Sequence, residues 1–91
     1  MCIHANEYEK TMTQLNAIRK AANDRIHNFN QLVRVGQSRS IEFATECALE
    51  VLAELADELG ALAMYQQITN RMHQLEQHRV LAPITAMGVQ A

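Results

Sequence analysis

Between residues 8 and 33 the apolar positions are Tyr8, Met12, Leu15, Ile18, Ala22, Ile26, Phe29 and Val33, every step three or four residues long. Such spacing lines one face of an α-helix and fits no alternating strand. Gly36 ends the ladder where a left-handed residue stops a helix, and Arg34 stands in the last turn, where a cation suits the dipole. Upstream, Asn6-Glu7-Tyr8-Glu9 pairs a capping side chain with an acid three residues on, which predicts a start at Asn6. Gln37-Ser38-Arg39-Ser40 is a short polar turn, and Ser38 or Ser40 is placed to cap the next helix.

That second helix has its apolar seam at Ile41, Ala48, Leu52, Leu55, Leu59 and Leu62. Beyond Gly60 the apolar set becomes Ala61, Tyr65, Ile68, Met72 and Leu75, displaced around the cylinder. A stop at Gly60 would leave Asp57 and Glu58 at a helix C-terminus, the wrong charge for the dipole, with no side chain placed to cap a new helix. His78, Arg79 and Pro83 mark a better end. The pattern therefore favours one long helix over residues 40 to about 80, with a bend or break at Gly60 as the alternative.

A short turn between long helices implies an antiparallel hairpin. Folding it about Gln37 and Ser38 sets Phe29 near Glu46, Ala22 near Leu52 and Leu15 near Leu59, with Arg25 near Glu50 and Arg19 near Asp57. The second helix then runs on past the first. With aromatics at 4% and no Trp, few large groups can build a core, and Leu49, Val51, Leu62, Met64 and Ile68 would remain in water. A second copy is the economical cover. The expected fold is all-α: a hairpin of two long helices dimerising into a four-helix bundle. Residues 1–81 form its single domain. Residues 82–91 hold no charged side chain and form a flexible apolar tail, whose Ile84, Met87 and Val89 could dock on a neighbour.

Charge is unevenly spread. Residues 1–40 are net +3, residues 41–58 net −6 and residues 59–91 net +1, giving −2 overall. Neither nucleic acid nor an anionic membrane is an expected partner. The acids are Glu42, Glu46, Glu50, Glu54, Asp57 and Glu58, with no Lys or Arg among them, and five of the six recur every fourth residue. Like charges at that spacing disfavour their helix by roughly 0.2–0.5 kcal/mol per pair. Glu46, Glu50 and Asp57 project opposite the seam, and the others flank it. Two accounts follow: an outer face partly neutralised by the first helix, or a surface that meets a basic partner.

No arrangement points to catalysis. Ser38 and Ser40 are accounted for as caps, and no Gly-rich phosphate loop occurs. Glu-x-x-His, the di-metal signature of bundles, is absent, while His73-x-x-Glu76 reverses it and His73 and His78 are five apart. No metal site and no cofactor are expected. Met1-Cys2-Ile3-His4 could wrap Cu(II) or Ni(II) if the initiator were removed, but an ordinary frayed terminus is favoured. Cys2 and Cys47 make no disulfide framework, and Cys47 beside the acids is poorly placed for thiolate chemistry. No apolar run approaches the roughly 20 residues of a membrane span, so a cytoplasmic location is expected. The segment holding Leu62, Met64, Tyr65, Ile68 and Met72 is either dimer core or an apolar docking patch.

The function these features favour is a non-enzymatic homodimer that binds and regulates or inhibits another protein. Its acidic face would steer a basic partner and its apolar patch would anchor it. Small helical accessory inhibitors of phages and plasmids are the analogy. A nucleic-acid mimic and a structural assembly unit are the alternatives.

Overall fold

The computed structural model describes residues 3–85, with side chains from residue 9 onward. It contains α1 (Ile3–Arg34), α2 (Arg39–Glu58), α3 (Leu62–Gln74) and a 3₁₀ turn over Leu75–Gln77. Among the described residues there is no strand. α1 begins before Asn6, which lies inside the helix and does not cap it. Both α1 and α3 pack on α2.

Both reversals use one device. Gly36 and Gly60 each sit at φ +78°. At the first, the N–H groups of Gly36 and Gln37 donate to the carbonyls of Val33 and Leu32 at 3.1 and 2.7 Å. At the second, Gly60 and Ala61 donate to Asp57 and Ala56 at 3.0 and 2.9 Å. This paired pattern is the Schellman motif, which satisfies carbonyls that a helix end would otherwise leave unbonded. No cap comes from a side chain: Ser38 makes no capping bond, and the Ser40 hydroxyl donates back to the Gln37 carbonyl at 2.7 Å.

The second helix is therefore broken at Gly60, contrary to the favoured long helix. The objections to a break were real but small. A missing N-cap costs about 1 kcal/mol and acids at an exposed C-terminus about 0.3–1 kcal/mol. Folding α3 back on α2 buries Leu49, Met64 and Ile68 completely. Full burial of such side chains contributes about 1.5–3 kcal/mol each, so the break wins.

The same return moves the seam. α2 buries Thr45, Leu49, Ala53 and Ala56, because it is covered on two sides instead of one. Leu55 and Leu62, assigned to the seam, are exposed. Of the five side chains that called for a second copy, Leu49, Met64 and Ile68 are covered within the chain, and Val51 and Leu62 remain open. The overhang is also reversed. At 1.5 Å per residue α1 is about 48 Å long, close to the 54 Å long axis, whereas α2 is about 30 Å. It is α1 that runs on past the turn at Gly60, and none of its residues 9–14 is fully buried, Met12 packing partly against the core.

Residues 81–85 lie against α1 and α3, although residues 82–85 belong to the stretch expected to be loose. Leu81 and Ile84 join Leu15, Phe29, Leu49, Met64 and Ile68 in the core. Residues 86–91 of that tail fall outside the described residues.

The turn at Gly60 sets a testable cost. A Cβ there would meet nothing within 4 Å, so Gly60→Ala pays only for its left-handed backbone. The expected loss is about 1–2 kcal/mol, or a melting temperature lower by about 4–8 °C per kcal/mol. A melting curve indistinguishable from wild type would show that the turn does not need this φ.

Candidate functional site

The outer face of α2 carries two parallel strips. Phe43, Cys47, Glu50 and Glu54 follow one another at four, three and four residues, and all are exposed. Ala44, Ala48, Val51 and Leu55 make the second strip, beside α1; Phe43 is 77% exposed, Val51 56% and Leu55 41%. Leu55, Glu58 and Leu59 line a shallow groove of about 380 Å³ together with Gln14, Ala17 and Ile18 of α1. The groove brings Gln14, Ala17 and Ile18 of α1 to the level of Leu55 and Leu59 of α2.

The acids divide by environment. Glu50, Glu54, Asp57 and Glu58 are exposed, and Glu46 is half-buried. Glu42 does not belong to a free binding face: the ring Nε2–H of His78 donates to its carboxylate at 3.0 and 3.2 Å, and both side chains are half-buried. This contact ties the end of the 3₁₀ turn to the start of α2, and nothing in the spacing of residues 42 and 78 announces it. No ion pair within 4 Å links the first helix to these acids among the described residues. Among the described residues the ion pairs are Lys20–Asp24 and His78–Glu42, so none joins α1 to α2. Arg19 donates to Asn16 of its own helix at 3.1 Å and does not reach Asp57.

The apolar patch is not a docking surface as a unit. Met64 and Ile68 are fully buried in the core, Tyr65 and Met72 pack partly against it, and only Leu62 is exposed, at 57%. Among the described residues no three His, Cys, Asp or Glu side chains gather as metal ligands, and no helix is long and apolar enough to cross a membrane. The Met1–His4 arrangement falls outside the described side chains.

A second surface went unread in the sequence: the groove between α1 and α3 that holds residues 81–85. Asn30 Oδ1 accepts from the Leu81 N–H at 2.7 Å, and its Nδ2 donates to the Leu81 carbonyl at 2.9 Å. Asn23 treats Ile84 in the same way, at 2.6 and 3.1 Å. Each carboxamide thus stands in for one residue of a neighbouring strand. From α3, Arg71 donates to the carbonyls of Ala82 and Pro83 at 2.7 and 3.3 Å. Gln67 accepts from the Thr85 N–H at 2.8 Å and donates to its hydroxyl at 3.3 Å.

No family model, curated protein or solved structure matches the chain.

The groove works by matched periods. Asn23 and Asn30 are seven residues apart, two turns on one face, or about 10.5 Å. Three residues of polyproline II chain rise about 9 Å, close to that helical spacing, and this is the step from Leu81 to Ile84. Leu81 and Ile84 are both buried, so side chains three apart enter the core together, the three-residue period of a polyproline II segment. Pro83 has no N–H to satisfy, and all four carbonyls from 81 to 84 accept from side chains. The available clue was the row Asn16, Asn23 and Asn30, poor helix formers at heptad spacing.

Proposed function

We propose that this chain is a non-enzymatic protein-binding regulator whose α2 outer face engages a partner with a basic surface. The observation that carries the proposal is the row Glu50, Glu54 and Glu58, exposed and without an ion pair among the described residues, beside exposed Phe43, Val51 and Leu55. Four like-charged i, i+4 pairs from Glu42 to Glu58 cost the helix roughly 1–2 kcal/mol in total. A basic partner relieves that repulsion on binding and gains the relief as affinity. Charge steers the encounter, while Phe43 and Val51 provide apolar anchors of the kind that dominate interface energetics.

The test begins with the complex recovered by native co-purification and continues with its purified components. Reversing Glu50, Glu54 and Glu58 to Lys is expected to weaken association at least about tenfold, mainly through the on-rate, and Phe43→Ala to weaken it about five- to thirtyfold through the off-rate. Added salt should weaken the wild-type complex and spare the reversed one. Circular dichroism checks that each variant keeps its helices. A partner that binds the triple reversal as tightly as wild type removes the acidic face from the account.

A further inference from the structure

We propose that the groove between α1 and α3 is also an interface between copies of this chain, and that the partner occupying it is residues 81–85 of a second copy, exchanged reciprocally. The groove reads its occupant through backbone groups, two by Asn30, two by Asn23 and two by Arg71, and through two aliphatic side chains. Those contacts are the same whether the segment arrives from its own chain or from another. What differs is the connection. His78 is held left-handed at φ 51°, ψ 39°, a conformation that side-chain-bearing residues rarely adopt. Only Arg79 and Val80, both exposed, lie between it and Leu81. A short connector under strain favours exchange, because an open connector loses the strain while every docking contact is remade in the other chain.

The α2 face plays no part in this exchange, so the two proposals stand or fall separately. The experiment uses two full-length chains, both carrying Cys2→Ser and Cys47→Ser. One adds Gln67→Cys on α3 and the other Thr85→Cys on the segment, side chains whose tips are 3.3 Å apart in the native pair. The two are unfolded, mixed, refolded together at high concentration and treated with a short bis-maleimide. The expected product on a denaturing gel is the mixed dimer, with neither chain forming one alone. Inserting three glycines between Arg79 and Val80 relaxes the connector and is expected to cut the mixed dimer about tenfold. Absence of the mixed dimer, while a single chain carrying both cysteines still links to itself, overturns exchange. So does a dimer in ultracentrifugation that gives no 67-to-85 link, and so does a yield unchanged by the insertion.

Discussion

Phe29→Ala is expected to destabilise the fold by about 3–5 kcal/mol. A chain of this size has roughly 5–14 kcal/mol in total, so the variant would be close to unfolding. Phe29 has no exposed surface and is one of two phenylalanines in a chain without tryptophan. Phe43 supplies the control, since at 77% exposure its truncation should change stability by no more than about 0.5 kcal/mol. Urea unfolding of both variants settles the contrast: the midpoint falls for Phe29→Ala at constant slope and stays put for Phe43→Ala. Equal midpoints would mean that the core is not organised around α1 as described.

The double substitution Asn23→Ala with Asn30→Ala is expected to have an effect of similar size. It removes the partners of four backbone groups on residues 81 and 84, and leaving such groups buried costs about 1–3 kcal/mol each. The chain has a less costly course, which is to let the segment go and expose Leu81 and Ile84 at about 1.5–3 kcal/mol apiece. The net loss is therefore capped near 3–6 kcal/mol, and its signature is detachment of the segment. Trypsin should then cut after exposed Arg79 many times faster than in wild type. Asn16→Ala, on the same heptad row but bonded to Arg19 and not to residues 81–85, should leave the rate unchanged. If Asn16→Ala accelerates cleavage as much as the double variant, the two carboxamides are not what holds the segment.

Helix content, the turn at Gly36 and the packing of α1 on α2 were legible because each rests on local pattern: apolar spacing, a glycine stop, a short polar link. The break at Gly60 was not, because local signals weigh caps and dipole terms of about 1 kcal/mol, whereas the deciding burial of Leu49, Met64 and Ile68 exists only once α3 has returned. That misreading propagated. A helix taken as continuous left those side chains bare and called for a dimer to cover them. Glu50 and Asp57, read as opposite the seam, are exposed, whereas Glu46, read the same way, is half-buried, and Glu42, read as a flank, holds His78, 36 residues away. Residues 82–85 read as tail because they hold no charged side chain, whereas what fixes them is side chains supplied by two helices.

The helices meet their neighbours along the chain, and such local contacts form fast. The ties from Asn30 to Leu81 and from Asn23 to Ile84 instead close spans of 51 and 61 residues. The loop entropy of that closure is recovered only after both helical walls stand. Assembly should accordingly finish with the segment and unfolding should start there, making it the least protected cooperative unit of the molecule although both of its aliphatics are buried.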